Sequence, residues 1–163
     1  MVWKPTLSLE QVILRLKEWT NISRNLSYKA ANATVLKMPH YSGPLPTDTG
    51  VFSNCVQYRA VQLKSYTISL SDADNCVQIG SDVVLVRNII SNDCDTYVAY
   101  NSFLCKEDFF TYPTASSNLG IFQVSNVSTE LKVANLQTVK VKYVLLPYRN
   151  KMVALPIIHI TSL

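Results

Sequence analysis

The residues best equipped for chemistry are two histidines, four cysteines and a set of turn aspartates. His40, Asp48 and a later Ser or Cys follow one another in an order that a nucleophilic triad can use, in which a base activates the nucleophile and an acid orients the base. No Gly-Asp-Ser-Gly or Gly-x-Cys-Gly element accompanies them. With only Gly43, Gly50, Gly80 and Gly120 in the chain, little is left to build an oxyanion-hole turn. A hydrolase using His40 is therefore a minor alternative, and His159 reads as a strand residue. Cys55, Cys76, Cys94 and Cys105 are not spaced as CxxC or CxxxC pairs and stand far from His40 and His159, so no metal site is expected. They could form two disulfides if the chain is exported, Cys76 with Cys94 being one pairing; otherwise they act as small half-buried hydrophobes. Asp72, Asp74 and Asn75 in one turn and Asp93 and Asp95 in the next could meet around Ca²⁺, but Asx residues favour tight turns for their own reasons. Glycosylation sequons occur at Asn21, Asn25, Asn32 and Asn126.

No phosphate-cradling loop or nucleotide fingerprint is present, and no cofactor is expected. The net charge of +4 carries no Arg/Lys run, which leaves no strong nucleic-acid signal. The charge is unevenly placed, with acids gathered in residues 65–131 and only basic charges in residues 132–163. That arrangement suits two solvated faces, or a weak head-to-tail contact. Tyr97, Tyr100, Phe103, Phe109, Phe110 and Tyr112 form a dense aromatic stretch that serves a core, or a contact surface in an assembly.

These residues need a frame, and the pattern specifies a sheet. A chain of 163 residues is one domain's worth, and 48% apolar against 16% charged residues gives it a core and a neutral surface rich in hydroxyls. After an extended lead-in, Ser8 to Gln11 form a capping box, and Leu9, Val12, Ile13, Leu16 and Trp19 line one stripe of an amphipathic helix over 8–20. A strand over 33–38 and a long surface loop over 40–54 follow. From Cys55 onward, strand-like runs recur with turn signals every 8–12 residues. Within 56–70 the apolar phase shifts, as a bulge or bend would cause. Val83 to Ile90 is almost continuously apolar, the mark of a strand buried on both faces. No βα alternation appears. Eight to ten strands result: a mainly β, antiparallel sandwich of jelly-roll type, or a barrel.

The C-terminal pair is the clearest strand–turn–strand signal. Lys140 and Lys142 alternate with Val139, Val141 and Tyr143, which predicts one wet and one dry face. Pro156 lacks a ladder donor, so the last strand should be an edge or be bulged there. Val153, Leu155, Pro156, Ile158, Ile160, Tyr143, Phe109 and Phe110 are the candidate interface residues. No stretch reaches the roughly 18 apolar residues of a membrane span, and no signal peptide is visible, which favours a cytoplasmic or virion-associated protein over a secreted one.

The low charge and the weight of Asn, Ser, Thr, Val and Tyr resemble the composition of viral structural and accessory proteins. The expectation is a non-enzymatic module for protein–protein contact, as a homo-oligomer or bound to a host protein. A small-ligand barrel carrier is the alternative, although the Gly-x-Trp element of lipocalins is missing.

Overall fold

The structure is a computed structural model that describes residues 34–46, 54–92 and 94–157. The expected helix over 8–20 and the residues Asn21, Asn25, Asn32, Asp48, Asp93, Ile158 and Ile160 lie outside them. The described residues form ten strands: β1 (Val35–His40), β2 (Val56–Gln62), β3 (Thr67–Ser69), β4 (Cys76–Ile79), β5 (Asp82–Ser91), β6 (Thr96–Asp108), β7 (Phe122–Val127), β8 (Lys132–Asn135), β9 (Val139–Tyr148) and β10 (Lys151–Pro156). Every ladder is antiparallel.

The ladders close on themselves. β4 pairs with β5, β5 with β6, β6 with β7, β7 with β10, β10 with β9, and β9 with β4 again. All six strands of this ring send side chains to one cluster: Cys76, Val83, Leu85, Phe103, Phe122, Val124, Val141, Tyr143, Leu145, Met152 and Ala154. That cluster is the interior of the ring, and it is filled. A second cluster lies outside the ring, where Leu36, Tyr58, Val61 and Ile68 of β1–β3 pack on Val77, Val84, Val86, Ile89 and Val98.

β5 belongs to both clusters. Its alternating residues Val83 and Leu85 point into the ring, while Val84 and Val86 point into the outer core. A strand buried on both faces has no wet side for polar residues, so its interruption at Arg87 and Asn88 must be resolved inside the protein. The β5–β6 register shifts between Val86 and Asn88. Arg87 donates from Nε to Asn101 Oδ1 at 3.0 Å. Asn88 is fully buried, donates to Pro44 O at 3.0 Å and Gln57 Oε1 at 2.9 Å, and accepts from Ile89 N–H at 2.9 Å. Gln57 Oε1 also accepts from Gly43 N–H at 2.9 Å. This network draws the segment after β1 against β5, so close that a Cβ on Gly43 would sit 2.5 Å from Asn88 Cγ.

One expectation is sharpened and two change. Of the bulge or bend expected within 56–70, the chain forms the bend, tightened into a hairpin: Leu63 N–H donates to Tyr66 O, and β3 pairs back on β2. Lys142 is buried: level with Val77, it points out of the ring as predicted, but β3 and the turn after it cover this part of the outer face. Its ammonium donates to Thr67 O at 2.7 Å and to the Asp74 carboxylate. Lys140 stays exposed. Lastly, β10 is not an edge but lies between β9 and β7. Ile157 N–H donates to Lys142 O, so odd-numbered residues of β10 make the bonds to β9. The missing donor of Pro156 therefore faces the β7 side, where the ladder has already ended at Ala154. Pro147 pairs with Met152 and obeys the same rule, facing away from β10 after β4 has ended.

Gly43→Ala should destabilise the fold by about 1–3 kcal/mol through overpacking against Asn88, measured by chemical denaturation. An unchanged midpoint would mean that this segment yields freely.

Candidate contact surface

The residues nominated for chemistry do not assemble into a catalytic or metal centre among the described residues. His40 ends β1, where its Nδ1 accepts from the backbone N–H of Ser42 at 3.4 Å, its Nε2 is buried without a partner, and among the described residues no Ser hydroxyl or Cys thiol bonds to it. Among the described residues, no group of three or more His, Cys, Asp or Glu side chains is placed to hold a metal. The turn proposed for Ca²⁺ already has a cation in it, the Lys142 ammonium against Asp74. All four cysteines are free thiols, with Cys94 exposed and Cys76 buried. Burial pushes the Cys76 thiol up to about 12, which keeps it protonated and unreactive at neutral pH. No helix among the described residues is long and apolar enough to cross a membrane.

What does assemble is an apolar ledge on the outside of the ring. Met152 and Ala154 of β10 face the interior, so Val153 and Leu155 face outward, beside Val144 and Leu146 of β9. Val153 is only 4% exposed, already covered within the fold, whereas Leu146 paired beside it is 47% exposed. Farther along β9, Tyr148 packs edge-to-face on Phe109, with centroids 5.0 Å apart at 85°, and Phe109 meets Phe110 at 6.2 Å. The same loop carries Tyr112, 85% exposed. The rim is charged: Lys151 pairs with Glu107 at 2.9 Å, and the Arg149 guanidinium lies 5.2 Å from the Tyr148 ring centroid.

The aromatic loop is held by a polar hub. Ser116 is fully buried; its hydroxyl accepts from Phe109 N–H at 2.7 Å and donates to Ile121 O at 2.9 Å. Its own N–H donates to Phe110 O at 2.8 Å. Asp108 accepts from Ser117 N–H at 2.7 Å, and this bond foremost, with help from the seryl hydroxyls, holds its carboxyl below the usual range. Glu107 is lowered likewise, first by its hydrogen bond from Lys151 and then by that residue's charge.

Of the nominated interface residues, Phe109 and Phe110 meet the C-terminal pair through Tyr148, and Val153 and Leu155 lie on the adjoining face. Tyr143 points the other way, 1% exposed inside the ring, where its hydroxyl donates to Gln78 Oε1 at 3.3 Å. Burial foremost, and Cys76 beside it, raise its phenol well above the ordinary value. Pro156 ends β10 at the rim. Asn126 is exposed with φ 57°, and its Nδ2 lies 3.5 Å from Cys105 Sγ. Leu146, Tyr148, Arg149 and Ser116 were missed. The outward parity of Leu146 and Tyr148 with Val144 could have marked two of them.

Residues 39–157 match the model of a family described as Domain of unknown function (DUF8592), a span that contains the whole ring and the ledge. No curated protein and no solved structure matches the chain.

Ser116→Ala leaves the Phe109 N–H and Ile121 carbonyl short of partners, and should cost about 1–3 kcal/mol in denaturant unfolding. Because the Asp108 and Glu107 carboxyls are depressed on folding, their contribution is present above the ordinary carboxylate value near 4 and is lost as pH falls through the lower folded value. The unfolding temperature should therefore drop more steeply on acidification in the native chain than in Asp108→Asn; parallel curves would contradict this.

Proposed function

The chain belongs to this domain family of unknown function, and we propose that it acts without catalysis, by protein–protein contact through the ledge of Leu146, Tyr148, Phe109 and Phe110. One observation carries the reading: large apolar side chains lie together in the open, Leu146 47% and Tyr148 40% exposed, around an aromatic cluster with a charged rim. An aromatic centre ringed by polar groups is the usual anatomy of a protein interface, and such clusters tend to supply most of the binding energy. Single exposed apolar residues need no explanation, but a contiguous group does.

The ring's packed interior supports this reading over the small-ligand carrier, because side chains from all six strands occupy the space a carrier would keep for its cargo. The closed ladder order likewise favours a barrel over the two-sheet jelly roll as the form of the fold. The contact is with a second copy in a self-assembling, virion-type subunit, or with a host protein in an accessory role.

Sedimentation or light scattering across a concentration series separates these forms. Self-association gives a native mass above the 18.3 kDa of the single chain that rises with concentration. Leu146→Glu, at an exposed position, should return it to the single-chain mass while changing stability by no more than about 0.5 kcal/mol. A mass of 18.3 kDa at every concentration removes the self-assembling form. An oligomer that survives Leu146→Glu places the interface elsewhere.

A further inference from the structure

The β9–β10 hairpin turns at Arg149–Asn150, a two-residue connection closed by the Tyr148–Lys151 pair. Its first position is left-handed, with φ 53° at Arg149. Two-residue hairpin turns require that sign, and glycine supplies it without the clash between Cβ and backbone that an arginine carries. Strain of this kind persists where surrounding structure or function holds it in place. Here the arginine's side chain is laid over the Tyr148 ring, 5.2 Å from guanidinium carbon to centroid, beside Phe109 and Phe110.

The charge on Arg149 has no ion-pair partner among the described residues, where the ion pairs are Lys132–Glu130, Lys142–Asp74 and Lys151–Glu107. Glu107 is occupied by Lys151, and Asp108 turns its carboxylate into the Ser116–Ser117 loop. A guanidinium stacked on an aromatic ring keeps its N–H edge free, and that edge fits a carboxylate with two parallel hydrogen bonds. The floor beside it is apolar and aromatic.

Resting on the contact-surface reading above, we propose that the ledge recognises a protein segment in which a carboxylate side chain neighbours a large apolar one, the carboxylate meeting Arg149 and the apolar side chain meeting Phe109, Phe110 and Tyr148. Both features are needed on the partner, because the cation stands over Tyr148, the ring that Phe109 packs against.

The test is an NMR titration of the isotope-labelled chain with a synthetic peptide of alternating Leu and Glu, its Leu and Gln counterpart, and inorganic phosphate. The acidic peptide should give saturable shifts at the amides of Phe109, Phe110 and Tyr148 and at Arg149 Nε–H. The Gln peptide should bind at least about five-fold more weakly, and phosphate at the same concentration should leave the ledge amides in place. Arg149→Gly separates binding from folding: it should weaken the acidic peptide by a similar factor, with an unfolding temperature equal to or above that of the native chain, since the turn is relieved. Equal binding of both peptides overturns the carboxylate proposal and leaves the ledge as a contact surface. Shifts reproduced by phosphate, no saturable shift with either peptide, or full binding by Arg149→Gly also overturn it. The sedimentation series judges the contact-surface reading independently of all four results.

Discussion

The fold depends on a strand with no wet side. β5 serves the ring interior with Val83 and Leu85 and the outer core with Val84, Val86 and Ile89, so it gains apolar burial on both faces and tolerates no unmatched polar atom. Asn88 is the test of that constraint. Left without partners, a buried amide would cost about 1–3 kcal/mol or more, a large fraction of a domain's net stability. Pro44, Gln57 and Ile89 supply those partners, and through them the segment after β1 is fixed against the ring. Lys142 is handled in the same way on β9, its stem buried and its ammonium bonded to Thr67 and Asp74 beside the β3 turn. Both polar intrusions become ties between the ring and the three strands that cover it.

A frame pinned at its centre can afford exposed apolar groups at its periphery. The ledge lies on the other side of the ring, where β9 and β10 run past the ends of β4 and β7. Prolines stand there without loss, since the ladder positions they would weaken have no neighbour. The aromatic loop owes its shape to Ser116, one hydroxyl satisfying both a donor and an acceptor of the backbone. Rigid rings on a rigid loop lose little entropy on contact, which is why aromatic side chains make effective anchors.

Much of this architecture is legible in the residues themselves. The apolar run from Val83 to Ile90 marks a doubly buried strand because no alternation interrupts it, and the Asx-rich turns at 71–75 and 92–95 fall where the strands reverse. Other features depend on pairing, which local pattern does not encode. The phase shift in 56–70 is compatible with a bulge or a bend until β3 is seen to fold back on β2. Pro156 signals an absent donor but not which neighbour would have received it. Tyr143 and Val153 are both apolar strand residues of one hairpin, yet they lie on opposite faces because one is level with Pro156 and the other with Leu146. The candidate site was legible only in part: Phe109 and Phe110 stand out by composition, whereas the packing of Phe109 on Tyr148 joins the loop after β6 to the end of β9, distant in sequence, and the left-handed turn at Arg149 has no glycine to announce it.

The central claim is that apolar exposure on the ledge serves contact, while apolar exposure elsewhere does not. Tyr112 on the aromatic loop and Tyr41 beyond β1 are matched in accessibility, at 85% and 86%, which makes them a natural pair for a photo-crosslinking amino acid placed at one position or the other in the cells that produce the protein. The expected result is a discrete crosslinked species from position 112, lost when Leu146→Glu is added, and none from position 41. Equal yields from the two positions, or a species from 41 alone, would contradict it.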